Sequence, residues 1–410
     1  MSDRDLEKRY FKNHYPAYDE TKHLLDQHEK LDGEIVSSIH SFIKTQTSKL
    51  VNGVTSNDYC IKDFSVYTGE SGIALYLSML SNSQGMTDDS HKKIIRRFLQ
   101  SSLNHCHQKK ISFLCGDSGC LALSTVLLMN SDPELSKQSL FQLLSLSDLL
   151  SNDNIPDELL YGKAGYLFAL LFVYQSYKHL IPLQLIQKVV NHLFEDGIAN
   201  IASTHVLCLS YTWHNKHYVG AAHGYIGILY ILLQVKLLLP SCISSEQLKT
   251  IALCLDQLLE LRFTSGNICS SIGNTTDKLV HWCHGAPGAV HLYALAYKIY
   301  NDNKYLSAAH RFAEVIWSRG LLCKGYGLCH GVAGNGYAFL CMFQLTNDSS
   351  YLWKAVKFAE WCLDYGVHGC RTPDHPFSLF EGLAGTLYFL LDVLTPYQAK
   401  FPAFQLLSYK

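Results

Sequence analysis

The sequence predicts an all-α protein, an α/α toroid in which seven outer helices surround seven inner helices. Three observations lead to this prediction: a recurring Gly-x-x-Gly motif, an apolar run after nearly every copy, and amphipathic segments between the copies. The copies begin at Gly69, Gly116, Gly162, Gly224, Gly285, Gly331 and Gly382. Their spacing of 46 to 62 residues is within or somewhat above the usual range of tandem helical units.

The clearest sign of duplication lies at the fifth and sixth glycine pairs. His281–Gly288 reads HWCHGAPG, and Gly327–Gly334 reads GLCHGVAG. Cys283 and Cys329, each followed by His and Gly, are therefore separated by 46 residues, and the segments that follow keep the same offset. An offset that persists over this length predicts two copies of one structural unit.

The segments between the glycine pairs carry the periodicity of outer helices. Residues 31–50 place Ile35 and Ile39 at helical spacing, and residues 305–317 form another amphipathic helix. The runs after the glycine pairs, such as residues 73–77, are apolar all round, which predicts buried inner helices. A closed ring is favoured over an open solenoid, because a solenoid would leave one face of these helices in water.

No Pro-, Gly- or Ser-rich linker divides the repeats. We therefore expect one toroid domain over residues 31–410, preceded by a charged and aromatic cover segment over residues 1–30. The chain contains 34 Lys and Arg residues against 35 Asp and Glu residues. This balance argues against nucleic acid as a main partner, because nucleic-acid-binding proteins present a basic surface.

The sequence does not predict a membrane-spanning segment. The N-terminus has no apolar signal region, and Ser2 stands where myristoylation requires Gly. The most apolar window, residues 226–239, is short for a span and contains Gln234 and Lys236. The 14 cysteines show no Cys-x-x-Cys spacing and are expected to be reduced thiols. We therefore expect a cytoplasmic protein, with peripheral membrane association left open.

The residue before each first glycine is expected to face a shared central mouth. In a ring, the chain turns into every inner helix at the same crowded end, and the free N–H groups of the helix N-termini point there. The seven residues at this position are polar or reactive: Thr68, Cys115, Tyr161, His223, His284, His330 and Glu381.

Cys283 and Cys329 stand at matching positions of adjacent repeats and should meet at the mouth, with His330 beside them. Two thiolates and an imidazole suit Zn²⁺, and three protein ligands would leave a fourth position open for chemistry. A closed structural site that also includes His284 is the first alternative. In the second alternative, both cysteines are ordinary core residues.

Other polar residues near the mouth carry weaker signals. His223 stands at the equivalent place in the fourth unit and could transfer a proton, although a hydrogen-bonded turn histidine fits the pattern equally well. Lys324 and Arg371 lie on mouth-side loops and could hold carboxylates. Spacing alone does not distinguish these two cations from solvated surface residues.

With these residues in place, the chain resembles the lanthionine synthetase C-like family and is closely similar to its animal members. The resemblance extends over nearly the whole chain, and the paired Cys-His-Gly motifs are its most specific part. The matching stretches are Ser112–Asp117, Leu160–Gly162, Tyr218–Gly224, His281–Gly288, Gly325–Gly331, His368–Asp374 and Phe377–Gly382.

The resemblance implies an α/α toroid with one zinc ion at its mouth, bound by Cys283, Cys329 and His330, with His284 as a neighbour. Animal members bind glutathione, have glutathione transferase activity and are implicated in adding glutathione to dehydroalanine and dehydrobutyrine in damaged proteins. The matching glutathione contacts are Lys324, Arg371, Thr372, Pro373 and Asp374.

Bacterial relatives instead cyclise peptides through thioether bonds, and this chain departs from their pattern. It has Leu279, Glu158 and His284 where those enzymes have Arg, Asp and Tyr. The sequence therefore predicts an enzyme that activates the glutathione thiol and adds it to electrophiles. His223 is the first candidate for the proton donor, and Glu158 or Tyr161 is the second. The alternative is a glutathione sensor or adaptor that presents a surface to signalling proteins.

Overall fold

The computed structural model describes residues 8–56, 63–83, 89–107, 110–199 and 207–409. These residues contain fourteen α-helices, and their β-type pairing is limited to isolated bridges. The predicted all-α class is therefore confirmed. The helices, in chain order, are α1 (Glu34–Thr55), α2 (Glu70–Asn82), α3 (Asp89–Leu103), α4 (Asp117–Leu127), α5 (Pro133–Ser145), α6 (Lys163–Ser176), α7 (Leu183–Ala199), α8 (Tyr225–Leu238), α9 (Ser245–Leu259), α10 (Ala286–Tyr300), α11 (Asn303–Arg319), α12 (Val332–Thr346), α13 (Ser349–Leu363) and α14 (Leu383–Leu394).

The even-numbered helices form the inner ring. Each contacts the next even-numbered helix, and α14 contacts α2, which closes the ring. Most odd-numbered helices pack back against the inner helix that precedes them, whereas α1 packs against α14. The first helix of the described chain thus completes the outer layer of the last unit. This arrangement confirms the predicted toroid of seven inner and seven outer helices.

The glycine pairs are explained by close backbone contact at the start of each inner helix. The first glycine of every pair is the helix N-cap, and Gly285 has a φ of 117°, which favours glycine. The second glycine lies in the first helical turn, against a carbonyl of its own loop. A Cβ atom at Gly334, for example, would overlap the carbonyl oxygen of Leu328. The motif is therefore a packing requirement of the turn.

The N-terminal segment lies along the sixth unit. Tyr10 pairs with Leu322 in an isolated bridge, and the N–H of Phe11 donates to the carbonyl of Leu321 at 2.7 Å. The first seven residues of the expected cover lie outside the described residues. The proposed division of the chain into a cover (1–30) and one toroid domain (31–410) stays a prediction.

The C-terminal segment fills the ring at the end away from the glycine turns, a feature that the sequence did not predict. Gln175, Gln234 and Gln344 lie in the C-terminal halves of three inner helices. Their side-chain amides donate to carbonyls of residues 396–406, each at 2.8 Å. The rings of Phe401 and Phe404 pack in the centre of the toroid against Trp282. The tail therefore contributes to the core of the ring.

Asp392 connects α14 to this tail. Its carboxylate accepts hydrogen bonds from the Tyr337 hydroxyl at 2.8 Å and from the Lys400 N–H at 3.1 Å. Burial raises the pKa of Asp392 from 3.8 to about 7. The folded state therefore holds this proton more tightly than the unfolded chain does. Between about pH 4 and pH 7 only the unfolded chain gains by losing the proton, so stability falls as the pH rises through this window.

We predict that Asp392→Asn reduces this pH dependence, since the amide keeps an acceptor oxygen and has no proton to lose. The melting temperature of the native protein should fall more between about pH 5 and pH 8 than that of the variant. Asp153→Asn, at an exposed loop position, is the control and should retain the native slope. Equal slopes for the native protein and the Asp392→Asn variant would contradict the prediction.

Candidate metal and substrate site

Backbone hydrogen bonds join the glycine turns side by side around the mouth. The N–H of Cys283 donates to the carbonyl of Cys329 at 3.2 Å, and the N–H of Cys329 donates to Phe380 at 2.8 Å. We call this series the rim. Its other bonds run from Phe380 to Tyr67 at 3.0 Å, from Tyr67 to Leu114 at 3.0 Å, from Cys115 to Leu160 at 3.1 Å and from Ala222 to Cys283 at 3.4 Å. The rim holds equivalent positions of successive repeats next to one another.

The rim brings together the three predicted metal ligands. The ligand atoms of Cys283, Cys329 and His330 all lie within 4.8 Å of one another, which makes them a candidate metal site. The two cysteines are 8% and 3% exposed, and His330 is half-buried. Burial, followed by the nearby Cys283, raises the pKa of the Cys329 thiol well above its ordinary value. A cation bound between these sulfurs would offset the free-energy cost of burying a thiolate.

His284 does not belong to this group, although it is the repeat equivalent of His330. Its ring lies 6.2 Å from the ring of His223 and 5.7 Å from that of Tyr218, centroid to centroid. Burial, followed by the charge of His223, lowers the pKa of His284 to about 4. The geometry therefore favours three protein ligands over the closed four-ligand alternative.

Glu158 and His223 form a pair beside the candidate metal site. The Glu158 carboxylate is 2% exposed and accepts the N–H of Leu160 at 2.8 Å and that of Tyr161 at 2.6 Å. Nδ1 of His223 lies 3.0 Å from the same carboxylate. The turn of the third unit thus fixes the acid, and the acid orients the imidazole.

Tyr161 and Trp213 lie against the His223 ring. The ring planes of Tyr161 and His223 differ by 4° with centroids 6.0 Å apart, and those of Tyr161 and Trp213 differ by 18° at 5.4 Å. The negative charge of a Cys115 thiolate, followed by burial, raises the pKa of Tyr161 to about 12. Tyr161 is therefore a neutral phenol at physiological pH.

The predicted glutathione contacts lie on two adjacent loops. The backbone N–H of Arg371 donates to the carbonyl of Cys323 at 3.0 Å, so Arg371 neighbours the loop of Lys324. The Arg371 side chain is exposed and bonds both carboxylate oxygens of Asp374, at 2.9 and 2.8 Å. After burial, the charge of Lys324 is the next cause that lowers the pKa of His281, which stands two residues before Cys283. Thr372 is exposed and Pro373 is half-buried on the same segment.

Two aromatic residues of the site were missed by sequence reasoning. Tyr67 occupies the same position in its repeat as Cys283 and Cys329, and after burial these two thiols contribute to raising its pKa. A comparison of the repeats at the position two residues before the first glycine of each pair would have identified Tyr67. Trp213 has no repeat equivalent, because it lies in the longest insertion, between Gly162 and Gly224.

A family model described as lanthionine synthetase C-like protein matches residues 60–406. The chain belongs to this family. It is 40% identical to glutathione S-transferase LANCL1 of Danio rerio, over 97% of this chain and 99% of that protein. It is 31% identical to LanC-like protein GCL1 of Arabidopsis thaliana, over 87% of this chain and 84% of that protein.

Among solved structures, nisin cyclase matches with a TM-score of 0.66 and 17% identity, over 88% of this chain and 94% of that one. At this identity the match shows a shared toroid fold alone. In the part of the chain that the structure describes, no helix combines the length and apolar character needed to cross a membrane.

The two repeat-equivalent histidines allow a direct test of the ligand set. We predict that His330→Ala lowers the metal content of the purified protein, because it removes one of three clustered donors. The matched variant, His284→Ala, should keep the native content. Metal is measured by plasma mass spectrometry after dialysis against a weak chelator. Equal losses in both variants would contradict the three-ligand site.

Proposed function

We propose that this member of the family is a zinc-dependent glutathione transferase that adds the glutathione thiol to electrophiles, including dehydroalanine and dehydrobutyrine in proteins. The proposal depends above all on the convergence of Cys283, Cys329 and His330. The Danio rerio relative is named a glutathione S-transferase, which supports the activity. For the present chain, the cytoplasmic location and the signalling partners stay predictions.

The donor set fits zinc. Two thiols and one imidazole are ligands that zinc prefers, and three protein ligands are typical of catalytic zinc sites. When bound, zinc would keep the glutathione thiol deprotonated at neutral pH, where a free thiol with a pKa of about 8.5 is mostly protonated. Cys283, Cys329 and His330 would hold the ion.

Glutathione carries two carboxylates and one ammonium, and the loop residues match these charges. Lys324 and Arg371 would bind carboxylates, the guanidinium through two parallel hydrogen bonds. Asp374 would bind the ammonium, and for that its ion pair with Arg371 has to open. Because this pair is exposed, its opening costs little. Thr372 and Pro373, between Arg371 and Asp374, are the remaining predicted contacts to glutathione.

The Glu158–His223 pair would supply the proton that the addition requires. In the addition, sulfur bonds to the β-carbon of the dehydroamino acid, the carbon–carbon double bond is lost, and the α-carbon takes up a proton. Because Nδ1 of His223 faces Glu158, Nε2 is the nitrogen left to donate that proton. The carboxylate balances the charge of the doubly protonated ring. Tyr161 is the second candidate for the donor.

Two other functions were considered from the sequence. Peptide cyclisation has less support, because Glu158, Leu279 and His284 replace the residues of the bacterial cyclases. A glutathione sensor or adaptor needs the same binding residues without turnover. Conjugation by the purified protein distinguishes the transferase from the sensor.

We predict that Cys329→Ala reduces glutathione addition to a dehydroalanine peptide to the rate measured without protein. The variant loses one donor and leaves the site incomplete. Cys341→Ala is the control, since Cys341 is 1% exposed in α12 and is not among the clustered donors. Full activity of the Cys329→Ala protein would rule out the proposed role of the metal site. Glutathione binding without conjugation by the native protein would favour the sensor.

Glutathione affinity provides a separate test. Lys324→Ala and Arg371→Ala should each raise the dissociation constant about tenfold, the loss expected for one charge-assisted hydrogen bond at a partly exposed site. Lys249→Ala, which removes an exposed lysine paired with Glu246, should leave affinity unchanged. Isothermal titration calorimetry gives the three constants. Native affinity in both loop variants would exclude these residues as glutathione contacts.

A further inference from the structure

The rim is interrupted between the third and fourth turns. By the pattern of the other turns, the N–H of Leu160 should donate to the backbone of the fourth unit. It donates instead to the Glu158 carboxylate at 2.8 Å, as the N–H of Tyr161 does at 2.6 Å. In the described residues no backbone hydrogen bond joins these two turns, and the Glu158–His223 pair links them. We call this break in the backbone bonding of the rim the gap; it lies next to the proposed proton donor, His223.

Three nearly parallel rings line this gap. The planes of Tyr161, Trp213 and His223 differ by 4° to 18°, with centroids 5.4 to 6.0 Å apart. Tyr161 is 39% exposed, and among the described residues it is the one tyrosine that belongs to the exposed large hydrophobic side chains. Trp213 is half-buried. The partly exposed rings of Tyr161 and Trp213 can stack against a planar ligand.

Trp213 is held in place by a tight turn. Its backbone exchanges two hydrogen bonds with Lys216, at 2.9 and 3.0 Å. His214 and Asn215 adopt left-handed conformations, with φ of 46° and 57°, which corresponds to the turn preferred in two-residue hairpins. Histidine and asparagine adopt the left-handed region more often than most other residues, so both suit the centre of this turn. The indole is thus positioned before any ligand binds.

The added residues of the fourth and fifth units pair directly after this turn. Tyr218 pairs with Ser271 in an isolated bridge, the N–H of Val219 donates to Ser270 at 3.0 Å, and that of Ile272 donates to His217 at 2.9 Å. The two longest insertions therefore pair with each other through their backbones. An insertion with this much internal bonding is a built feature of the site.

We infer that this gap is a binding site for the polypeptide that carries the electrophile, with Trp213 as its main stacking surface. This inference rests on the proposed function. A dehydroamino acid inside a protein has flanking residues on both sides, so it can reach His223 only where the chain can lie across the rim. The conjugated double bond and its two amides are planar and would stack on the indole and on Tyr161. Small electrophiles have no flanking chain and do not need the gap.

The experiment compares two electrophiles in the full-length protein. Trp213→Ala should raise KM for a dehydroalanine peptide about five- to tenfold, because the main stacking surface is lost. KM for a small electrophile, a chlorodinitrobenzene, should change less than twofold. Trp213→Phe should restore most of the peptide KM. Phe141→Ala, at a 75% exposed position on α5, is the matched control and should behave as the native protein.

The outcomes separate this inference from the proposed function. Equal KM changes for peptide and small electrophile, or an unchanged peptide KM, would overturn the site at the gap while leaving the transferase in place. Should the native protein conjugate neither electrophile, the proposed function fails, and calorimetric binding of the dehydroalanine peptide decides the site. Binding that is lost in Trp213→Ala and kept in Phe141→Ala supports it. Absence of binding to the native protein overturns it.

Discussion

The hydrogen bonds between neighbouring glycine turns are the constraint on which the site depends. They fix the register of one repeat against the next, so that residues 46 positions apart along the chain, Cys283 and Cys329, lie side by side. The glycines make this possible, because any side chain at the second position of a pair would push the helix away from its own loop. Packing and chemistry therefore share one geometric requirement at the mouth.

Chemistry is concentrated where the repeats differ from one another. Four neighbouring units, from the third to the sixth, supply the Glu158–His223 pair and the three clustered donors. In the third unit, Glu158 takes the N–H groups that would otherwise continue the rim. One carboxylate thus interrupts the rim and also orients the imidazole beside it.

Repetition explains how much could be predicted from the sequence. The ring, its inner and outer layers and the meeting of Cys283, Cys329 and His330 follow from equivalent positions in equivalent units. The C-terminal segment inside the ring and Trp213 could not be predicted in this way, because neither has a counterpart in another repeat. The bond between Glu158 and His223 joins residues 65 positions apart, and no pattern in the sequence links them. The division at residue 30 and the roles of individual site residues remain predictions.

The packing of α1 against α14 has a consequence for biosynthesis. These two helices come from opposite parts of the chain, and the segment after α14 fills the centre of the ring. During translation, apolar inner helices emerge one by one while their last neighbours are still missing. The nascent protein must therefore remain an incomplete arc, with apolar surface accessible to chaperones, until nearly the whole chain has left the ribosome.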